Sequence, residues 1–395
     1  MTTGLPLRDV CTFRSGGTPS KDNSEFWDGD IPWVSPKDMK TTLLESTQDF
    51  ITLKGVEGSA TSLVPKGSIL TVVRSGILAH SVPFAVAGRS LAFNQDIKAI
   101  QVTGDQVTSE YVYWFLRSKE SEILARGVKK GATVHSLQAG FLEKLVIPIL
   151  PKPEQQQIVD LLARAEYIVQ MRRKGEQKAK EIIPALFLDM FGDPGRNPKG
   201  WDFKTIGDVA DIQSGLQVTT KRANLPLKIP YLRVANVHRT HLDLSEIKLI
   251  HATQAELNRT RLVPGDLLVI EGHGNPAEIG RVGIWPGGID PCVHQNHLIR
   301  VRCKPTSFHP IYVWAYLNSE GGRRFLLREG KTTSGLNTIN VSNVKGVNLP
   351  APPIALQQDF ARRIEGITEL QASQHTARSL ANQTFQSLLS RVFGQ

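Results

Sequence analysis

The chain has 395 residues, more than one hydrophobic core normally holds, so two or three domains are expected. At 40% hydrophobic and 21% charged residues, its composition excludes a disordered protein, and no apolar run nears the roughly 20 residues that cross a bilayer. An excess of 47 Lys and Arg over 37 Asp and Glu, net +10, favours a polyanionic partner such as nucleic acid. The opening MTTGLPLRDV carries charge where a signal peptide would be apolar, and three scattered cysteines (Cys11, Cys292, Cys303) make no disulfide framework. Both features fit a cytoplasmic protein.

In chain order, residues 1–150 read as short runs broken by Gly, Pro and Asn, with GSILTVV (67–73) as a buried strand. EYVYWFLRS (110–118) is an amphipathic helix interrupting the strands. The proline cluster LVIPILPKPEQQ then stops the chain before a long helix from Glu154 to Phe191, within segment 151–195. Its apolar positions are Ile158, Leu162, Ala165, Ile168, Leu186 and Met190. The middle, Arg172 to Lys180, is polar and basic, and Pro184 is expected to kink the helix.

Residues 196–353 repeat the first pattern: GDLLVIEG (265–272) as strand, IYVWAYLNS (311–319) as helix, and VNLPAPPIALQQ as the stop. A second long helix follows from Leu356 to Phe393, within segment 354–395. Phe360, Ile364, Ile367, Leu370, Gln374, Ala377, Ala381, Phe385, Leu388 and Val392 form a seam at three- and four-residue steps. Neither seam can be buried alone, so the two helices are expected to pack on each other.

The two halves match as sequence, not only as pattern. DVCTFRSG faces DVADIQSG and LVPKG faces LVPGD at an offset of 199; IPWVSPKDM faces IPYLRVANV at 198. FNQ (93–95) faces VHQ (293–295) at 200, YVYWFLRS faces YVWAYLNS at 201, and PKPEQQQIV faces PIALQQDFA at 202. Matches in constant order, with the offset drifting only from 198 to 202, define two tandem copies of a unit near 200 residues. The fold class is α+β: two tandem mixed α/β domains joined by two long helices, with a pseudo-twofold internal repeat.

Catalytic signatures fail one by one. EGKTTSG lacks the first P-loop glycine, since residue 325 is Phe, and GHGNPAEIG has the wrong spacing for a dinucleotide fingerprint. CVHQNH (292–297) offers zinc-ligand types without a second ligand pair, and copy one has none of them. Asp266 and Glu271 beside His273 suggest a metal-dependent nuclease, but copy one has Ser68, Val73 and Ser75 there, so Asp266 reads as the start of a strand. A stand-alone nuclease or methyltransferase would need such a site or an adenine pocket. A duplicated scaffold without a DNA role is the third alternative. Against both, the loops that vary between copies are rich in hydroxyls, amides, Lys, Arg and His, the donor and acceptor set that contacts bases and phosphates.

GGTPS…W.GDIPWVSPKDM (16–39), IPILPKPEQQQIVDLL (147–162) and LFLDMFGD after a long helix, with degenerate second copies of each, resemble the specificity subunit of a type I restriction–modification system. The resemblance covers essentially the whole chain. It implies two target-recognition domains, each reading half of a bipartite double-stranded DNA site, and two helical regions that form an antiparallel coiled coil, hold them apart and receive partners. It implies no catalysis and no cofactor on this chain. Adenine methylation with S-adenosylmethionine then belongs to modification subunits, and ATP- and Mg-dependent translocation and cleavage to restriction subunits. By position it points to DNA contact at Thr18, Ser20, Lys21, Ser35, Lys37, Gln95 and the tip Lys129–Lys130 in copy one. In copy two it points to Lys221, Arg222, Arg233, Asn236, His238, Gln295 and Lys331. Copy two lacks the TPS and SPKDM forms.

Overall fold

The computed structural model describes residues 3–239, 241–275, 278–333 and 336–394, with the backbone alone at 139, 331–333 and 336. The chain forms two compact units, one of residues 1–173 with 377–395, the other of residues 174–376.

The first unit is built on a five-stranded sheet in the order Cys11–Ser15, Ile97–Val102, Ile69–Val72, Phe84–Ala87, Leu43–Leu44. Ile69–Val72 lies inside the expected run 67–73, and its four residues are all buried, as an unbroken apolar strand must be. A second sheet joins Asp49–Ile51, Trp27–Val34 and Ala92–Phe93, and a three-stranded ribbon joins Val128–Lys129, His135–Leu137 and Arg74–Ser75. Helix Ser109–Ser118 buries Tyr111 through Leu116 on the core; the Thr108 hydroxyl caps it, accepting from the Tyr111 amide at 3.2 Å.

The second unit repeats this plan. Its central sheet runs Ala210–Ser214, Leu298–Cys303, Leu267–Ile270, Val282–Ile284; its second sheet joins Lys248–Ala252, Leu227–Leu232 and Val293–His294. Its ribbon joins Gly272–His273, Leu336–Thr338 and Lys331–Thr333, and helix Pro310–Asn318 packs as its counterpart does.

The long helices run Lys152–Phe191 and Ile354–Phe393, each starting two residues before the expected position, and the first continues through Pro184. They pack together antiparallel within each unit, because each unit holds the start of one and the end of the other. In the first unit Val159 and Leu162 meet Phe385, Leu389 and Phe393 in the core, where Phe393 stands 5.3 Å from the Tyr111 ring and 5.7 Å from Phe115. In the second, Phe187 and Phe191 meet Phe360 and Ile364; Phe191 stands 4.7 Å from Tyr312 and 5.2 Å from Phe360. The two Phe-Gly endings therefore fill the same aromatic socket, each in the recognition core of the other copy. The seam differs from expectation at Leu370 and Ile168, which are exposed, 56% and 51%. Polar cross-links stand in for apolar packing in this stretch of the second unit: Gln371 Nε2 donates to the Ala179 carbonyl at 2.6 Å, and His375 meets Glu176 at 3.1 Å.

The doubled glutamine of the repeat has a physical reason. Gln155 is fully buried, accepts the Thr108 amide at 3.0 Å, and donates to the carbonyls of Gln106 and Leu150 at 2.7 and 2.8 Å. Gln357 does the same with the His309 amide and the Pro352 carbonyl, both at 2.9 Å. In each copy it ties the start of a long helix to the cap of the short one. An amide is needed because only it supplies an acceptor and two donors from one buried side chain.

Candidate nucleic-acid interface

The motifs separated along the sequence converge in the first unit. Trp33 and Val34 of IPWVSPKDM pair in parallel with Ala92 and Phe93. The Gly17 amide donates to the Phe93 carbonyl at 3.0 Å, and Trp33 Nε1 donates to the Gly17 carbonyl at 3.1 Å. A Cβ at Gly16 would collide with the carbonyl oxygens of 93 and 94, and one at Gly215 with those of 294 and 295, so the Ser-Gly step common to both copies is fixed by close backbone approach.

Thr18 and Gln95 meet on this surface, the hydroxyl donating to Gln95 Oε1 at 2.6 Å. Ser20, Lys21 and Lys37 are exposed nearby in sequence, and Lys129 and Lys130 are exposed at the tip of the ribbon. Ser35 is buried instead: its amide and hydroxyl both donate to Asp38 Oδ2, at 2.9 and 2.8 Å, closing the SPKD turn.

In the second unit the Arg233 amide donates to Asn236 Oδ1 at 2.8 Å, so Asn236 stands where Asp38 stands and latches the equivalent turn; it is 3% exposed, and its Nδ2 donates to two carbonyls. The Arg233 guanidinium is held by Glu246 at 2.9 Å. Arg222 is gripped by Glu256 through both terminal nitrogens, at 2.8 and 3.0 Å, and hydrogen bonds from Arg222 foremost hold the Glu256 carboxyl at about 2. Lys221 is exposed, Gln295 half-buried, and His238 stacks on His241 with ring centres 4.8 Å apart. The Lys331 side chain lies outside the described residues. Its backbone pairs with Thr338 as that of Lys129 pairs with Ser136, so the two lysines occupy matching ribbon positions.

Strand pairing corrects one register. Val34 pairs with Phe93, and its counterpart Leu232 pairs with His294, so the turn aligns at an offset of 201, not 200. Gln95 thus matches Asn296, and Asp96 matches His297. Sequence matching had paired the wrong residues because Gln is identical at the slipped position. It also missed Arg74, Asp96 and His297. Arg74 Nε donates to Asp96 Oδ1 at 2.7 Å, and the pair lines a cleft of about 430 Å³ with Pro36, Ser75, Gly76 and Val134.

The titratable groups once considered for chemistry are engaged in the fold. Asp266 is fully buried, bound by Arg302 at 2.7 and 2.8 Å. Burial pushes the Cys292 thiol up to about 12, and among the described residues no cluster of His, Cys, Asp and Glu is arranged to hold a metal. His294 occupies the place of Phe93 in the core. Its Nδ1–H donates to the Leu298 carbonyl at 2.8 Å, Nε2 has no partner, and burial pushes it down to about 4. A folded value below the free imidazole's ~6.5 means the unfolded chain binds the proton first, so stability falls as pH drops from about 6.5 towards 4. The loss reaches roughly 3 kcal/mol at full effect. His294→Phe should remove it, and urea midpoints at pH 7.5 and 5 should then lie closer together than in the parent. An unchanged gap would place the acid sensitivity elsewhere.

The family model of the type I restriction modification DNA specificity domain matches the chain twice, at residues 5–180 and 198–379. The chain is 25% identical over 385 residues to the type I restriction enzyme MjaIX specificity subunit of Methanocaldococcus jannaschii, covering 92% of this chain and 86% of that one. It is 37% identical over 177 residues to the EcoR124I/EcoR124II specificity subunit of Escherichia coli, covering 45% and 44%. The solved S subunit from M. genitalium shares the fold with a TM-score of 0.58 at 12% identity, over 100% of this chain and 96% of that one. Two family matches that coincide with the two structural repeats, over most of the sequence, mean that this chain belongs to the type I restriction–modification DNA specificity family.

Proposed function

We propose that this chain is the non-catalytic subunit that recognises a bipartite DNA target and directs adenine methylation and restriction by its partners. The observation that carries this is the duplication: two units with one backbone frame and different side chains on their variable loops. Residues 1–150 and 196–353 are the two readers, and segments 151–195 and 354–395 are the platform for modification and restriction subunits. Exposed apolar residues on the long helices support docking there: Leu161, Tyr167 and Ile168 in the first unit, Ile182, Leu188 and Leu370 in the second. S-adenosylmethionine sits on the modification subunits, and ATP and Mg on the restriction subunits. The complex works in the cytoplasm; among the described residues no helix is long and apolar enough to cross a membrane.

Within this reading, Thr18, Ser20, Lys21, Lys37, Gln95, Lys221, His238 and Gln295 face DNA, with Lys129, Lys130 and Lys331 on phosphates. Ser35, Arg222, Arg233 and Asn236 shape the loops that carry them. Phosphate neutralisation releases counterions, so affinity of the full chain for duplex DNA should fall steeply with salt. Lys129→Gln with Lys130→Gln should flatten the log–log slope by about one to two units. Affinity indifferent to salt would overturn the proposal.

A further inference from the structure

A side-chain pair sits at the same junction of turn and ribbon in both units, built from partly different positions: Asp96 and His297 match, whereas Arg74 follows Val73, the residue that Glu271 matches. In the first unit the Val73 amide donates to the Asp96 carbonyl at 2.8 Å; in the second the Glu271 amide donates to the His297 carbonyl at 3.0 Å. The ribbon strand next to each is bound alike, Leu137 to Val73 and Ile339 to Glu271, both at 2.8 Å. On this common frame Arg74 Nε meets Asp96 at 2.7 Å, and His297 Nδ1 meets Glu271 at 2.9 Å. The would-be readers are open to solvent: the Arg74 and His297 side chains are 56% and 58% exposed, while the carboxylates holding them are 22% and 28% exposed.

The buried latches Gln155 and Gln357 keep their chemistry between copies. These pairs do not. An exposed polar pair adds little to stability, so folding gives little reason to retain one. Each instead consists of an exposed donor or acceptor oriented by a half-buried partner, beside the turn carrying Gln95 or Asn296 and next to the ribbon that carries Lys129 or Lys331. That arrangement preorganises a side chain for recognition.

We propose that these pairs are specificity determinants of the two half-sites, an inference that rests on the target-recognition reading above. With Nε committed to Asp96, Arg74 presents its terminal nitrogens, unpaired among the described residues, to the cleft beside Pro36 and Val134. Two parallel N–H donors match the O6 and N7 acceptors of guanine in the major groove. In the second unit the carboxylate of Glu271 only accepts, so His297 Nδ1 carries the hydrogen, and the neutral tautomer this selects leaves Nε2 as an acceptor. The Glu271 oxygen that does not bind His297 is a second acceptor of the pair. Two acceptors select the exocyclic amino group of adenine or cytosine.

The test is enrichment from a randomised duplex DNA library by the full chain with its partner subunits, followed by sequencing. The parent should enrich two fixed half-sites. Arg74→Ala and Arg74→Lys should each relax one guanine position in one half by roughly ten- to hundredfold, leaving the other half intact. His297→Ala should relax one adenine or cytosine position in the other half by a similar factor. Hydrogen-exchange protection of Ile69–Val72 and Leu267–Ile270 reports folding and should be unchanged in all three. Unaltered half-sites, or loss of preference spread evenly over every position, would overturn the assignment of these pairs while leaving target recognition standing. Absence of any enriched site with the parent would overturn both.

Discussion

Replacing residues 196–353 with the matching segment of a related specificity subunit should change one half of the methylated target completely and leave the other half as it was. The expectation follows from where the variable loops sit. Every candidate contact of the second copy lies inside this segment, and the strands that position them pair only with one another. The replaced unit must still accept Phe187, Phe191, Phe360 and Ile364 from the long helices, so the donor needs the aromatic socket around Tyr312. Methylome mapping of a host carrying the chimera reads the outcome directly. A change in both halves, or in neither, would contradict independent reading by the two copies.

Phe385→Ala combined with Phe393→Ala should cripple the first recognition unit, although both residues lie more than 230 positions from its strands. Each ring is 3% exposed; Phe393 packs on Tyr111 and Phe115, and Phe385 lies 5.9 Å from Trp114 with the Arg117 guanidinium 5.5 Å over its face. Arg117 is itself anchored to Glu166 of the first long helix. Truncating a buried phenylalanine costs about 3–5 kcal/mol, and two such losses rival the ~5–15 kcal/mol stability of a domain. Hydrogen exchange should therefore show lost protection in Ile69–Val72 and Ile97–Val102, with Leu267–Ile270 and Leu298–Cys303 still protected. Equal loss in both units would mean that the closing helix does not belong to the first core.

Much of this architecture was legible in the residues because repetition amplifies weak signals. The buried strands at 69–72 and 267–270, the helices at 109–118 and 310–318, and both long helices lie where periodicity and proline stops put them. Which core each Phe-Gly ending would fill was not legible, since similar aromatic sockets in two copies give a sequence no means of choosing. The site was harder for a different reason. Side chains such as Asn236 and Ser35 are the polar types that contact DNA, yet they serve equally well as turn latches, and only burial separates the two roles. Arg74, Asp96 and His297 escaped notice because their kinship is one of place on a shared backbone, and a one-residue slip concealed it.

Residues 377–393 complete a core whose central sheet begins at Cys11, and this has a bearing on how the chain emerges from the ribosome. The nascent first unit waits, with Tyr111 and Phe115 uncovered, while nearly the whole second half is being translated. The second unit lacks nothing once residue 376 is out, so the later-made half can fold first. Any premature stop between residues 377 and 393 then spares the half that was translated last and exposes the half that was translated first, leaving its sticky aromatic socket to chaperones and proteases.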